Sequence, residues 1–198
     1  MNIQSAMVAR VADASKEEAI LSAALELFVE RGFHGTNVPS IAQRAGIAPG
    51  TIYYYFASKE ELVNTLYRRW KGVIGQRVVD GFPFDRPPRE QFRIVWERMA
   101  DFALAHPWEL EFLELHNHRS YLDEQSRATE SQVFDFGIAM VQKAQSEQAL
   151  RPLDAVLLMS FANGAFLGVF REGIAKRVPL TKESFMAAEQ CCWEAIRA

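Results

Sequence analysis

A glycine-centred turn between two very short helical segments constrains the fold of this 198-residue chain more than any other feature. The turn lies within residues 36–61, TNVPSIAQRAGIAPGTIYYYFASKEE. Asn37 is the predicted N-cap of the first helix, and Gly46 is the residue best able to adopt the left-handed conformation that ends it. Pro49 predicts the first turn of a second helix. Two helices so short, joined by so tight a turn, must cross steeply, which is the geometry of a helix-turn-helix.

The second of these helices is predicted to expose aromatic side chains. Ile52 and Phe56 lie four residues apart and are predicted to anchor the helix to a core, which turns Thr51, Tyr54 and Tyr55 outward. Tyrosine hydroxyls suit phosphate oxygens and base edges. Three successive tyrosines after a glycine-centred turn therefore favour contact with DNA over tyrosines that only pack at a core boundary.

Residues 20–70 resemble the DNA-binding domain of the TetR family of transcriptional regulators. The residues that carry the resemblance are Ala23, Ala24, Leu27, Phe28, Gly32, Phe33, Thr36, Val38, Ile41, Ala42, Ala45, Gly46, Gly50, Tyr53, Phe56, Lys59 and Leu62. The family commonly has histidine where this chain has Tyr55, and serine where it has Ala48. The first change keeps a ring that can hydrogen-bond to phosphate. The second removes a favourable N-cap, at a cost of about 1 kcal/mol to a short helix.

The pattern and the resemblance together predict an all-α fold of about nine helices. The resemblance implies an N-terminal arm and helix-turn-helix domain over residues 1–62, and a ligand-binding and dimerisation domain over residues 63–198. A homodimer has two-fold symmetry, so the expected partner is double-stranded DNA with an inverted-repeat operator. The residues expected to contact DNA are Thr36, Arg44, Ala48, Pro49, Gly50, Thr51, Tyr53, Tyr54, Tyr55 and Lys59.

The net charge of −3 is unusual for a nucleic-acid-binding protein. The acidic residues of helix 1 are expected to face away from DNA; they are Glu17, Glu18, Glu26 and Glu30. Arg10, Arg44 and Lys59 are expected to lie near one surface. So few cations predict a modest electrostatic affinity for each subunit, so that useful binding requires two subunits.

Helical periodicity continues along the whole chain, without a segment of strand periodicity. A capping box at residues 15–18 predicts the start of helix 1 after a mobile arm, and Gly32 predicts its end. A second box at residues 58–61 predicts the start of helix 4, which runs toward Val78 or Val79. The prolines of residues 81–88 predict a loop. Five further helices are predicted. The first follows the loop and ends near residue 106, and the other four cover about 107–122, 123–149, 154–170 and 181–197.

Large apolar side chains are spread over the helices of the C-terminal half. They either form an ordinary core or line a cavity, and the resemblance favours a cavity for a small-molecule effector that is largely apolar or aromatic. The residues expected to line it are Trp70, Trp96, Met99, Phe112, His116, Tyr121, Phe134, Asn163 and Phe166. His116 and His118 are two residues apart and point in different directions on a helix, so no metal or cofactor is expected.

Gly164 and Gly168 lie four residues apart in a predicted helix. Each glycine costs about 1 kcal/mol of helix propensity, which close packing should offset. Two alternatives are equally supported at this stage: a dimer interface, or room within the subunit for Trp193 or Phe185.

The remaining features predict a cytoplasmic protein without membrane contact. No segment reaches the apolar length of a membrane span, and the N-terminal residues lack a signal sequence. The adjacent Cys191 and Cys192 are expected to be reduced thiols. An enzyme is not expected, because the chain lacks a glycine-rich phosphate loop, a nucleophile elbow and an HExxH motif. The main alternative to a ligand-responsive regulator is a small-molecule-binding protein of the same fold that has lost DNA binding.

Overall fold

The structure is a computed structural model that describes residues 3–115 and 120–198, with side chains described for residues 14–114 and 120–198. Within these ranges it forms nine helices, which are α1 (Ile3–Gly35), α2 (Val38–Ala45), α3 (Pro49–Tyr55), α4 (Lys59–Val79), α5 (Pro88–Ala105), α6 (Pro107–Leu115), α7 (Glu124–Ser146), α8 (Ala155–Ile174) and α9 (Lys182–Ile196). The only strand-type pairing in the described ranges is a bridge between Leu150 and Arg197. The prediction of an all-α fold is confirmed.

The prediction that α1 begins at the capping box of residues 15–18 is wrong. The helix is continuous from Ile3, because residues 3–13 contain no glycine or proline and include three alanines, which favour the helix. Gly32 was predicted to end the helix, and the backbone does leave the helical conformation there. Gly32 adopts φ 69° and ψ 174°, which interrupts the helix, and helical residues resume as far as Gly35.

Most other helix ends agree with their local signals. The Asp154 side chain accepts a hydrogen bond from the N–H of Leu157 at 3.0 Å and caps α8. Thr181 caps α9 in the same way through the N–H of Ser184. Two predicted ends are wrong, because residues 120–123 are not helical where a helix to about residue 122 was predicted, and α8 continues to Ile174 rather than ending near residue 170.

The chain divides into two compact units, and the first contains the helix-turn-helix. Unit 1 comprises the residues up to Trp70 together with Glu111–Ser126. Its core is formed by buried side chains from α1 to α4 and from the second segment, among them Leu27, Phe28, Ile41, Ile52, Phe56, Leu66, Phe112 and Leu122. The segment 111–126, which lies far along the chain in the predicted C-terminal domain, therefore helps to complete the core that supports the helix-turn-helix.

Unit 2 comprises Lys71–Leu110 and Arg127–Ala198, and its core is aromatic. Trp96 of α5 donates its indole N–H to the carbonyl oxygen of Phe185 at 2.8 Å. The ring of Phe166 stacks on that of Phe185, with centroids 4.8 Å apart, and meets Trp96 edge to face. These contacts join α5, α8 and α9 into one layer.

Helix α8 is apolar over most of its length although little of it is buried within the chain. By length and composition it is able to cross a membrane, so the expectation that no segment reaches that length is wrong for α8. Its exposed large apolar side chains include Val156, Leu157 and Phe161. Contiguous exposed apolar surface is typical of interaction sites.

Candidate nucleic-acid interface

The turn between α2 and α3 is held by local backbone chemistry. Asn37 Oδ1 accepts a hydrogen bond from the N–H of Ser40 at 2.9 Å, and Ser40 Oγ accepts one from the N–H of Asn37. At the other end of α2, Gly46 adopts the left-handed conformation with φ 69°. The N–H of Ile47 then donates to the carbonyl oxygen of Ala42 at 3.0 Å. The cap at Asn37 and the stop at Gly46 are confirmed, and together they fix where α3 begins.

Helix α3 presents two tyrosines to solvent. Ile52 and Phe56 are 1% and 3% exposed and anchor the segment, as predicted, whereas Tyr53 and Tyr54 are 58% and 76% exposed. Tyr55 is half-buried against the core of unit 1, and its ring meets that of Tyr54 edge to face. The outward pair is thus Tyr53 and Tyr54, rather than Tyr54 and Tyr55, because Tyr55 lies closer to the buried side of this seven-residue helix.

The start of α3 is exposed and carries little side-chain bulk. Ala48, Pro49 and Gly50 are all exposed, and Thr51 is half-buried. Ala48 makes no side-chain capping hydrogen bond. A Cβ atom added to Gly50 would meet nothing within 4 Å. The subunit itself therefore places no steric demand for glycine at position 50.

Arg44 does not present a free guanidinium. Its Nη1 donates to Glu26 Oε2 at 2.8 Å, and the same guanidinium donates to both carboxylate oxygens of Glu30. The hydrogen bond from Arg44 lowers the pKa of Glu30 below its ordinary value. Glu26 and Glu30 were expected to face away from the DNA-contacting surface, but both carboxylates lie against Arg44, one of the cations assigned to that surface.

Thr36 is a structural residue. Its side chain is 1% exposed, and Oγ1 lies 3.0 Å from the carbonyl oxygen of Leu27 and 2.9 Å from that of Gly32, to which it donates. The Thr36 side chain is therefore used inside the subunit, and the DNA contact predicted at this position stays a prediction. The hydroxyl binds backbone carbonyl groups near the C-terminal end of α1.

Lys59 ties the start of α4 to the end of α1. Its Nζ donates to the carbonyl oxygens of Phe33 and Thr36 at 2.7 Å and 2.8 Å and lies 4.0 Å from the centroid of the Phe33 ring. A lysine ammonium has three N–H donors, so two are used inside unit 1 and the third has no hydrogen-bond partner among the described contacts. Lys59 is half-buried. Arg10 precedes the residues whose side chains are described.

The predicted effector-site residues fall in different places. Trp70, Phe112 and Tyr121 belong to unit 1. Phe112 is fully buried and stacks on Phe28, and Tyr121 stacks on Phe33 with centroids 4.1 Å apart. These three residues pack against or within the core that supports the helix-turn-helix, and the effector contact predicted for them stays a prediction.

The other predicted effector-site residues belong to unit 2, apart from His116, which lies outside the described residues. Trp96 and Phe166 contact each other in the core, and Met99 is half-buried on the same helix as Trp96. Phe134 is 40% exposed, and Asn163 is also exposed. Of the unit 2 set, only Trp96 and Phe166 are in direct ring contact among the described contacts.

The glycines of α8 face open space. A Cβ atom added at Gly164 or Gly168 would meet nothing within 4 Å, so neither glycine makes room for Trp193 or Phe185. Leu157 and Phe161 follow the same face of the helix at spacings of three and four residues, and they are 58% and 50% exposed. Of the two alternatives for these glycines, room for Trp193 or Phe185 is therefore excluded.

Asn64 is an interior residue that sequence reasoning missed. It is 2% exposed and donates to the carbonyl oxygens of Glu60 and Tyr121, both at 2.8 Å. Its Oδ1 accepts from the N–H of Asp123 at 2.8 Å. A polar residue between the apolar positions Val63 and Leu66 was the available signal, although it does not identify partners almost sixty residues away.

Comparisons with known proteins agree with this geometry. A family model described as bacterial regulatory proteins, tetR family, matches residues 20–66, and one described as a tetracyclin repressor-like C-terminal domain matches residues 72–198. The HTH-type transcriptional repressor KstR2 of Mycolicibacterium smegmatis is 30% identical over 156 residues, which cover 77% of this chain and 68% of that protein.

Two further matches are a shorter sequence match and a solved structure. The fatty acid metabolism regulator protein of Bacillus subtilis is 34% identical over 76 residues, or 38% of this chain, and the match spans only 39% of that relative's length. A solved structure of a TetR family transcription regulator from Marinobacter aquaeolei has a TM-score of 0.81, with 24% identity, and covers 95% of this chain and 98% of that chain. This last likeness establishes the fold.

Proposed function

This chain belongs to the TetR family of bacterial regulatory proteins, and we propose that it is a homodimeric, ligand-responsive regulator that binds operator DNA and represses transcription. The observation that carries the proposal is the exposed pair Tyr53 and Tyr54 on a helix anchored by Ile52 and Phe56. Large aromatic side chains rarely stay exposed without a partner, and hydroxyl groups at their tips suit phosphates and base edges. Helix α3 is then the recognition helix, and α2 crosses the DNA backbone.

DNA contacts follow from the exposed surface around α3. Tyr54 is the most exposed of the large hydrophobic side chains described, and we assign it to base edges. Tyr53 and the third N–H of Lys59 are assigned to phosphates, and Gly50 allows close approach of the backbone. Arg44 is left out of this set because its guanidinium is bound by Glu26 and Glu30.

Dimerisation is proposed through the exposed face of α8. Leu157, Phe161, Gly164 and Gly168 share this face, and a second copy would bring an identical surface. The glycines allow two helices to approach closely, which offsets their low helix propensity. The two-fold axis then presents two recognition helices to an inverted repeat. A bilayer is a poorer match for α8, because Arg171 and the neighbouring Glu172 lie inside its last turn.

The effector is proposed to be a small, largely apolar molecule bound in unit 2. Trp96, Phe166 and Met99 supply apolar surface there, and the Bacillus relative is named as a regulator of fatty acid metabolism. Helix α4 begins at Lys59 in unit 1 and continues to Val79 in unit 2. An effector that favours one orientation of α4 would shift DNA affinity, and the two binding free energies would couple reciprocally.

A second candidate is a small-molecule-binding protein of this fold without DNA binding. It is favoured by the uncapped start of α3 at Ala48 and by the ion-paired state of Arg44. A gel-shift with the DNA that flanks its own gene, with and without metabolite extracts, separates the readings. A shift that the extract reverses supports the regulator, whereas extract-dependent stabilisation of the protein without any shift supports the second candidate.

A further inference from the structure

Tyr121 lies in the short connection between α6 and α7, and unit 1 holds it in place. Its ring stacks on Phe33 with centroids 4.1 Å apart and planes within 20°. Its carbonyl oxygen accepts a hydrogen bond from Asn64 Nδ2 at 2.8 Å, and the N–H of Asp123 donates to Asn64 Oδ1 at the same distance. The buried side-chain amide of Asn64 thus binds the backbone on both sides of Leu122. These hydrogen bonds fix the backbone at Tyr121 and thereby the position of its ring.

The same Phe33 ring carries the ammonium of Lys59. Nζ lies 4.0 Å from the ring centroid and donates to the carbonyl oxygens of Phe33 and Thr36. A cation is attracted to the face of an aromatic ring, and this attraction depends on the orientation of the ring. Stacking on Tyr121 restricts that orientation. The contacts therefore form a continuous chain from the α6–α7 connection to the first residue of α4.

We infer that Tyr121 is a positioning residue for DNA binding, which holds the Phe33 ring so that the Lys59 ammonium keeps its third N–H available to a phosphate. The inference rests on the proposed function, in which Lys59 contacts DNA. It replaces the effector-binding role that the sequence predicted for Tyr121. It also means that a change in the position of Tyr121 would alter the Lys59 contact with DNA without a rotation of α4.

The test compares the salt dependence of binding to a mixed-sequence DNA duplex for the full-length protein, four single variants and one double variant. Lys59→Met removes the charge and keeps the aliphatic stem. Tyr121→Leu removes the stacked ring, and Tyr121→Phe keeps it. Leu122→Val perturbs packing at the neighbouring position, which is 4% exposed in the same core. Only variants whose circular dichroism and cooperative thermal unfolding match those of a folded protein are compared.

Lys59→Met is expected to lower the slope of log affinity against log salt by about one per subunit, since each phosphate contact contributes about 0.9. Tyr121→Leu is expected to lower it by the same amount, while Tyr121→Phe and Leu122→Val keep the wild-type slope. In the double variant, Tyr121→Leu should add nothing to Lys59→Met, because both act on one contact. A general loss of packing would not produce this pattern.

The outcomes distinguish the positioning role of Tyr121 from the proposed phosphate contact of Lys59. If Lys59→Met lowers the slope but Tyr121→Leu does not, the positioning role is wrong and the phosphate contact stands. If Lys59→Met leaves the slope unchanged, both are wrong. Should Tyr121→Leu not fold, the proton chemical shifts of the Lys59 ε-methylene group in Tyr121→Met serve instead. They should lose the ring-current shift imposed by Phe33, and an unchanged shift would overturn the inference.

Discussion

Arg44 and Glu30 form a two-pronged ion pair, with Nη1 3.0 Å from Oε1 and Nη2 2.9 Å from Oε2. The pair joins α2 to α1, so the guanidinium is committed to holding the helix-turn-helix in place. Its parallel hydrogen bonds have the geometry that makes arginine–carboxylate pairs specific. We therefore propose that Arg44 affects DNA binding through the position of α2 rather than through direct contact.

The first prediction concerns the pH dependence of this pair. The hydrogen bond from Arg44 lowers the pKa of Glu30, so the pair stabilises the folded state above the unfolded pKa of glutamate, and this stabilisation is lost as the pH falls through the lower folded value. Glu30→Gln should unfold at lower urea concentration than wild type at pH 7, and the difference should shrink in acid. Glu17→Gln, an exposed glutamate on the same helix, is the control. Equal stability of wild type and Glu30→Gln at pH 7 would contradict the prediction.

The second prediction concerns Gly50. An added methyl group meets nothing in the subunit, and alanine favours a helix by up to about 1 kcal/mol. Gly50→Ala should therefore keep or raise the melting temperature while lowering DNA affinity by about tenfold or more, equal to about 1.4 kcal/mol. Paired thermal melts and anisotropy titrations measure both quantities. Unchanged affinity would show that DNA does not approach this backbone.

The third prediction separates the two exposed tyrosines of α3. Tyr53→Phe should weaken binding to all sequences alike, because it removes a phosphate contact, whereas Tyr54→Ala should change which sequences are preferred. Neither change should reduce stability much, since both side chains are mostly exposed. Selection from a randomised duplex pool reports the preference. A uniform loss for Tyr54→Ala, with preference unchanged, would count against its role in reading bases.

The fourth prediction concerns the face of α8. Gly164→Leu places a large side chain where the subunit offers open space, so the subunit should fold. Overpacking should weaken the dimer by about 1–3 kcal/mol, or roughly 5-fold to 150-fold. Gly72→Leu is a matched control, because its Cβ atom also meets nothing within 4 Å. Sedimentation velocity over a concentration series measures dissociation. Equal dissociation constants for the two variants would place the dimer interface elsewhere.

Sequence reasoning succeeded where the determinants are local. The cap at Asn37, the left-handed Gly46 and the break at Gly32 each depend on residues three or four positions away, so their chemistry is visible in a short window. The same is true of Ile52 and Phe56, whose spacing defines the buried side of α3. These local signals were sufficient for the helix-turn-helix and for the fold class.

The same reasoning failed where partners are distant in the chain. Arg44 meets Glu30 from fourteen positions away, and Lys59 meets Phe33 from twenty-six. Tyr121 and Phe112 are aromatic, as many residues that line ligand cavities are, but tertiary packing places them in unit 1. Aromatic residues fill cores and cavities alike, so their type alone could not distinguish the two sites.

Footprinting on the DNA that flanks its own gene tests the central claim most directly. The claim is that a two-fold dimer places two α3 helices on one duplex, so the protected region should be an inverted repeat. Both halves should be protected at the same protein concentration in wild type, and both should need more protein when Gly164→Leu weakens the dimer. Protection of a single asymmetric site, or no protection at low salt, would contradict the account.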